Sequence, residues 1–265
     1  NGNSAANSVD NLTIEAGDAT GAGNPTLTLS GAIGGGTDGA LDALSINAST
    51  STMAFSVPQI GTGSAAGAGS ATAAVSIGNA NSGDITFSTT NSAGNGSISY
   101  IFGGNTTITS GGGTDAFQIG AGDTTFKNTG STKSISFATG GFTLGNDADL
   151  KIETNNGAIS VGDIIGTAGG SATDVILDAG TSTTSIGAVG TGNTDINDLT
   201  VSGTGIITLT GNVITEDSTN AGDDGSTAED GAQSYAGAVV IHGTDITLTT
   251  GGGGASFSST INSEG

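Results

Sequence analysis

The sequence predicts an all-β protein wound as a β-solenoid, and three observations predict it. A short polar–apolar–Thr/Ser–apolar signature recurs along the whole chain, as in Leu12-Thr13-Ile14, Leu27-Thr28-Leu29, Ile85-Thr86-Phe87, Ile135-Ser136-Phe137, Leu199-Thr200-Val201 and Ile246-Thr247-Leu248. Glycine, 50 of 265 residues, fills the intervals with Asn, Asp and Ser, and glycine turns sharply because φ > 0 costs it nothing. A longer unit also repeats. Leu29 to Ile46 and Thr184 to Val201 share an apolar strand, a small-residue turn, an Ile/Val-Gly step, a Gly/Thr/Asn run and an Asp-containing strand, with a looser copy from Ile159 to Leu177.

Period-2 alternation puts strand centres, in order, near Leu12, Leu27, Leu44, Phe55, Val75, Ile85, Ile98, Ile108, Phe117, Phe126, Ile135, Phe142, Leu150, Ile159, Val175, Ile186, Leu199, Ile207, Val213, Val239, Ile246 and Phe257. At each, apolar residues two apart share one face and the Thr or Ser between them points the other way. No segment holds a 3.6-residue period. The best helix candidate on alanine content, residues 65–74, is weakened by Gly67 and Gly69. A β-sandwich is the alternative fold. It is disfavoured by the lack of Trp, of a tyrosine-corner pattern around Tyr100 or Tyr235, and of a long Greek-key return. The expected organisation is one continuous solenoid over residues 1–265 with an acidic loop insertion at about 216–231. At about 20 to 30 residues per coil and ~4.8 Å per strand, it forms a rod roughly 50 Å long.

Composition excludes several classes. Collagen needs a Gly-X-Y period and prolines, and this chain has 2 Pro. Regularly spaced Ile, Val and Thr argue against intrinsic disorder. There are 24 acidic residues against 3 lysines and no arginine, a formal net charge of −21. Nucleic-acid phosphates and anionic membranes therefore repel the chain. No apolar run reaches the ~20 residues of a membrane span. Without Cys there are no disulfides, thiolate metal sites or Cys nucleophiles. The start Asn1-Gly2-Asn3-Ser4 shows no signal peptide, so the chain reads as a mature product or a segment of something longer.

The stretch from Gly231 to Thr249, with its Gly-Ala-Gln-x-Tyr-x-Gly-Ala-Val pattern and Thr-rich strand, continues into Ala255–Ser263. It resembles the large bacterial β-strand-repeat surface proteins, in the style of filamentous-haemagglutinin adhesins and autotransporter passengers. The resemblance is strongest at residues 184–265 and 29–50 and weak at 90–150. It implies a right-handed parallel β-helix, export to the cell surface, and a role in adhesion or surface assembly. The expected function is structural: a filament, fibre or surface-layer subunit built by strand stacking, not an enzyme. A solenoid ends in unpaired strand edges, so the expected partners are further copies end to end, or continuation of a longer repeat array, with glycans or a host or cell surface outside. The alternatives are a calcium- or glycan-binding module and a polysaccharide-active β-helix enzyme, the latter weakened by the absence of Arg.

Glu216, Asp217, Asp223, Asp224, Glu229 and Asp230 form the densest acidic stretch and the candidate calcium site, because Ca²⁺ takes 6–8 oxygen ligands. The competing reading is a solvated loop held open by its own charge. Asp84, Asp115, Asp149, Asp195 and Asp245 stand at strand starts, where they are expected to satisfy turn backbone groups. His242, the only histidine, has no second His or Cys as a metal partner. Lys127, Lys133 and Lys151 fall in one section and are expected to pair with acids on neighbouring coils. No Gly-x-Ser-x-Gly elbow and no P-loop lysine is present. Asn11, Asn47, Asn95 and Asn105 match the glycosylation sequon, as chance allows in so Asn/Ser/Thr-rich a chain. Thr26/Thr28, Thr208/Thr210 and Thr247/Thr249 resemble the flat threonine ladders of ice-binding surfaces, though scattered along the chain.

Overall fold

The structure, a computed structural model, describes residues 10–17, 26–34, 40–48, 53–61, 66–69, 73–87, 97–112, 115–120, 122–145, 148–167, 173–191, 194, 196–215, 231–243 and 245–264. They wind as a parallel β-helix with three faces, visited in rotation. The first face is a ten-stranded sheet running from Asn11–Ala16 to Ile261–Ser263. The second begins with six strands, Thr26–Thr28 to Ile164–Ile165, and continues through a bridge at Val189 into Val213–Ile214 and Leu248–Thr249. The third holds seven strands, Ile98–Phe102 to Ala255–Phe257. In the early coils its place is taken by the bridges Ile33–Ile60–Tyr100 and Leu41–Ala68–Phe102. Every strand pair is parallel, so each strand sits on the one a full coil earlier.

The apolar period-2 positions make this architecture. Tyr100, Phe126, Ile152, Leu177, Val201, Tyr235 and Phe257 stack in one inward column of the third face. Leu27, Phe55, Ile85, Phe117, Phe142 and Ile164 do the same on the second. Stacked like on like, these side chains form one continuous core. Its aromatic centre is Phe126, with ring centroids 4.8 Å from Phe87, 5.0 Å from Tyr100 and 5.0 Å from Phe137. Edge-to-face and offset contacts at such distances add to simple burial. The Tyr100 hydroxyl, fully buried, donates to Val57 O at 3.0 Å.

Three strands fall where no strand centre is expected: Ile164–Ile165, Gln233–Tyr235 and Ile261–Ser263. Ile246 falls outside its expected strand, which begins at Leu248 because Asp245 takes a positive φ of 58°. No helix forms among the described residues; within residues 65–74, Ala68 bridges Leu41 and Phe102. The repeat copies lie out of phase. Thr184 to Val201 runs from first face to third, whereas Leu29 to Ile46 starts after the second face and ends in the first. Their similarity is that of corners, not of whole coils.

The coils bind closely where glycine permits. A Cβ on Gly205 would overlap Ser182 O, and one on Gly237 would overlap Gly205 O. Neither glycine has a positive φ, so the requirement is close backbone approach between coils.

Candidate functional site

Of the aspartates expected at strand starts, Asp84 and Asp149 act between coils, as do Asp163 and Asp198. The N–H of the residue just before a strand lies beyond the last rung of the backbone ladder, and the corner side chain one coil earlier supplies its acceptor. Asp84 Oδ1 accepts the Ala116 N–H at 2.8 Å, Asp149 Oδ1 that of Asp174 at 3.0 Å, Asp163 Oδ1 that of Ala188 at 2.8 Å and Asp198 Oδ1 that of Ala232 at 2.7 Å. Asn105 serves Ser134 and Asn212 serves Thr247 in the same way. Asp178, by contrast, closes its own turn onto Gly180 N–H. Asp195 lies outside the described residues.

On the third face this device stacks four carboxylates, Asp123, Asp149, Asp174 and Asp198, on successive coils. Burial pushes the Asp174 carboxyl above its ordinary range; the Asn197 amide opposes this and the charges of Asp149 and Asp198 reinforce it. The charged form is thus disfavoured by folding, and the stability it withholds is recovered as pH falls through the raised pKa. Asp174→Asn keeps an oxygen acceptor for the Asp198 N–H while removing the charge. It is expected to raise stability at pH 7 by a few tenths of a kcal/mol, the scale of a like-charge cross-strand pair at a half-exposed site. The gain should disappear below about pH 4, where the wild-type carboxyl is protonated. Urea denaturation at the two pH values checks it.

The lysines sit beside this column. Glu153 pairs with Lys127, one coil earlier, and with Lys151 in its own strand at 2.6 Å. Burial pushes the Glu153 carboxyl up, but the two ammonium groups outweigh it and hold it below the ordinary glutamate range. Lys127, Asn128, Thr129, Glu153, Thr154, Asn155 and Asp178 line a shallow groove here, about 410 Å³ in volume. His242 Nδ1 meets the Glu264 carboxylate of the following coil, both side chains exposed.

All six candidate calcium ligands, Glu216, Asp217, Asp223, Asp224, Glu229 and Asp230, lie outside the described residues. Among the described residues no group of three or more His, Cys, Asp or Glu is placed to hold a metal. What is described is the base of that segment, a buried polar knot that includes Gln233 and Tyr235 of the Gly-Ala-Gln-x-Tyr pattern. Gln233 Nε2 donates to Thr249 O at 2.8 Å and to Thr215 Oγ1 at 3.2 Å, and Thr215 Oγ1 donates to Gly231 O. Tyr235 OH donates to Gln233 Oε1 at 3.1 Å, and burial pushes that hydroxyl far above its ordinary range, so it remains a donor. The knot joins Thr215 to Gly231, the two residues that flank the segment.

The outward surfaces also differ in chemistry. On the first face Thr13, Ser45, Ser76, Thr107, Ser136, Ser160, Ser185 and Thr208 fall in register as one column. The Thr-x-Thr pairs themselves do not stack: Thr208 is on the first face, Thr26, Thr28 and Thr249 on the second. Among the described residues no helix is long and apolar enough to cross a membrane. No protein-family model, no curated protein and no solved structure matches this chain.

Proposed function

We propose that this chain is a structural element of an exported bacterial surface assembly, a rod that associates by β-strand stacking into a filament, fibre or surface layer. The reading rests chiefly on one observation: the backbone ladder of the first face passes unbroken through ten strands and reaches Ile261–Ser263 with its far edge unpaired among the described residues. From Val75 onward the N–H in register with Ile261 donates forward, as Val239 N does to Thr260 O at 2.9 Å and Ile207 N to Ala238 O at 2.8 Å. Ile261, 55 % exposed, presents the same group to the next strand, whether from a further copy or from further chain. The outside of the rod then serves attachment, to glycans or to a cell surface.

Electron microscopy of concentrated protein tests this. Elongated stacks are expected in the wild type. Ile261→Pro removes the forward N–H at the first residue of a strand, a position proline tolerates. It should shorten the stacks at least severalfold with little change in melting temperature. Single particles of uniform size at every concentration would refute end-to-end association.

A further inference from the structure

One corner of the helix holds a chemically labile dipeptide, and the fold constrains both of its members. Asn156-Gly157 follows the strand Leu150–Asn155 and is the only Asn-Gly pair among the described residues. Asn156 takes a positive φ of 60°, a conformation that Asn adopts more readily than most residues. Its Oδ1 accepts the N–H and the hydroxyl of Thr181 on the next coil, both at 3.0 Å. Gly157 is buried, and a Cβ there would lie 1.9 Å from Lys133 O of the coil before. Contact between coils therefore admits only glycine at 157, and the corner favours asparagine at 156.

Asn-Gly is also the pair in which a backbone amide most readily attacks the preceding side chain, because glycine has no Cβ in the way and its backbone is free to turn. In that reaction the Gly157 nitrogen bonds to Asn156 Cγ and ammonia leaves, closing a five-membered imide. Water then opens the imide at one carbonyl or the other, giving aspartate or isoaspartate. In the stacked corner both reacting groups are engaged elsewhere. The Gly157 N–H donates to Thr154 Oγ1 at 3.2 Å, and that hydroxyl donates in turn to Gly157 O. The Asn156 carboxamide is held one coil on by Thr181, and a Cβ on Gly180 would lie 2.5 Å from its Oδ1.

We propose that Asn156 is a conditional modification site: it stays asparagine while its corner is stacked, and it converts to aspartate and isoaspartate when the corner opens. Thr154 and Thr181 guard it, the first by holding the attacking N–H and the second by holding the carboxamide. The conversion consumes only water. Isoaspartate routes the main chain through the side chain and lengthens it by one carbon. That carbon falls where Gly157 meets Lys133, so a converted corner cannot restack at its former spacing. The coil thus keeps a chemical record of having opened, whether or not copies associate end to end.

The full chain, incubated in mildly alkaline buffer, tests this by mass spectrometry of the peptide spanning residues 149–162. Conversion at Asn156 should run at least ~10-fold slower in native wild type than in urea-unfolded chain, because only the open fraction reacts. Thr154→Val frees the Gly157 N–H and should convert roughly 5-fold faster than wild type, the scale of one net hydrogen bond. Thr154→Ser keeps the hydroxyl and should return the rate to that of wild type. Thr143→Val, on the second face, should leave the rate unchanged. If Thr154→Val does not fold, wild type in urea below its unfolding midpoint replaces it. There, conversion should rise in proportion to exchange of the Thr181 amide. Native conversion as fast as in the unfolded chain overturns the inference, as does an unfolded chain that leaves Asn156 intact. So does a Thr154→Val rate equal to that of wild type, or conversion that does not follow Thr181 exchange.

Discussion

Phe126→Ala is expected to cost about 3–5 kcal/mol, the range for removing a buried phenylalanine. The ring is fully buried, and its neighbours come from all three faces: Phe137 from the first, Phe87 and Phe142 from the second, Tyr100 from the third. Backbone ladders hold these strands at fixed spacing, so the lining cannot collapse into the void. A solenoid's stability is close to a sum over neighbouring coils. The loss should therefore concentrate in the coils containing Phe102, Phe126 and Leu150. Urea denaturation should show a midpoint well below wild type, and amide exchange should accelerate most in Ile98–Phe102, Thr124–Ser131 and Leu150–Asn155. Phe126→Leu, which refills much of the volume, should recover at least half of the loss. A Phe126→Ala protein as stable as wild type would mean that the core is not packed as described.

Gly205→Ala adds a single methyl group at the surface side of a corner, yet it is expected to destabilise by about 3 kcal/mol, at or above the upper end for overpacking. The atoms in the way are Ser182 O, Ser182 C and Thr181 O, all backbone, so no side chain can swing aside. Relief requires the two coils to separate, which weakens the ladder from Thr184–Ile186 to Ile207–Leu209. Gly31→Ala is the control, because a Cβ there meets nothing within 4 Å. Thermal denaturation should separate the two variants clearly. Equal melting temperatures would show that coil spacing at this corner is looser than the structure has it.

The strands were legible because each carries its own local signal. Ile135, Phe137, Leu199 and Val201 alternate with Ser or Thr, and the inward members are branched or aromatic wherever the core requires bulk. Gln233–Tyr235 was hidden because its inward residues are polar or polar-tipped, satisfied only by Thr215, Thr249 and each other in three dimensions. Coil phase was hidden for a different reason. The faces share the same apolar–Thr/Ser–apolar strands, so Ile135-Ser136-Phe137 on the first face reads like Leu199-Thr200-Val201 on the third. Register was hidden too, because coil length varies: Asp149 caps a residue 25 positions on, and Asn212 one 35 positions on. The aspartate caps, the carboxylate column and the hydroxyl column of the first face all follow from register, which is why the sequence showed aspartates and threonines but not what they line up with.

The stack itself is most directly tested by distances along the first face. Pairs of nitroxides at Ser45/Ser136, Ser45/Ser185 and Ser45/Thr208, each diluted into unlabelled protein, lie three, five and six strands apart in the ladder. Electron paramagnetic resonance should give backbone separations near 14, 24 and 29 Å, increasing linearly at ~4.8 Å per coil. Distances that do not rise in that order, or a Ser45/Thr208 pair closer than Ser45/Ser136, would contradict a parallel column and point to a folded-back sandwich.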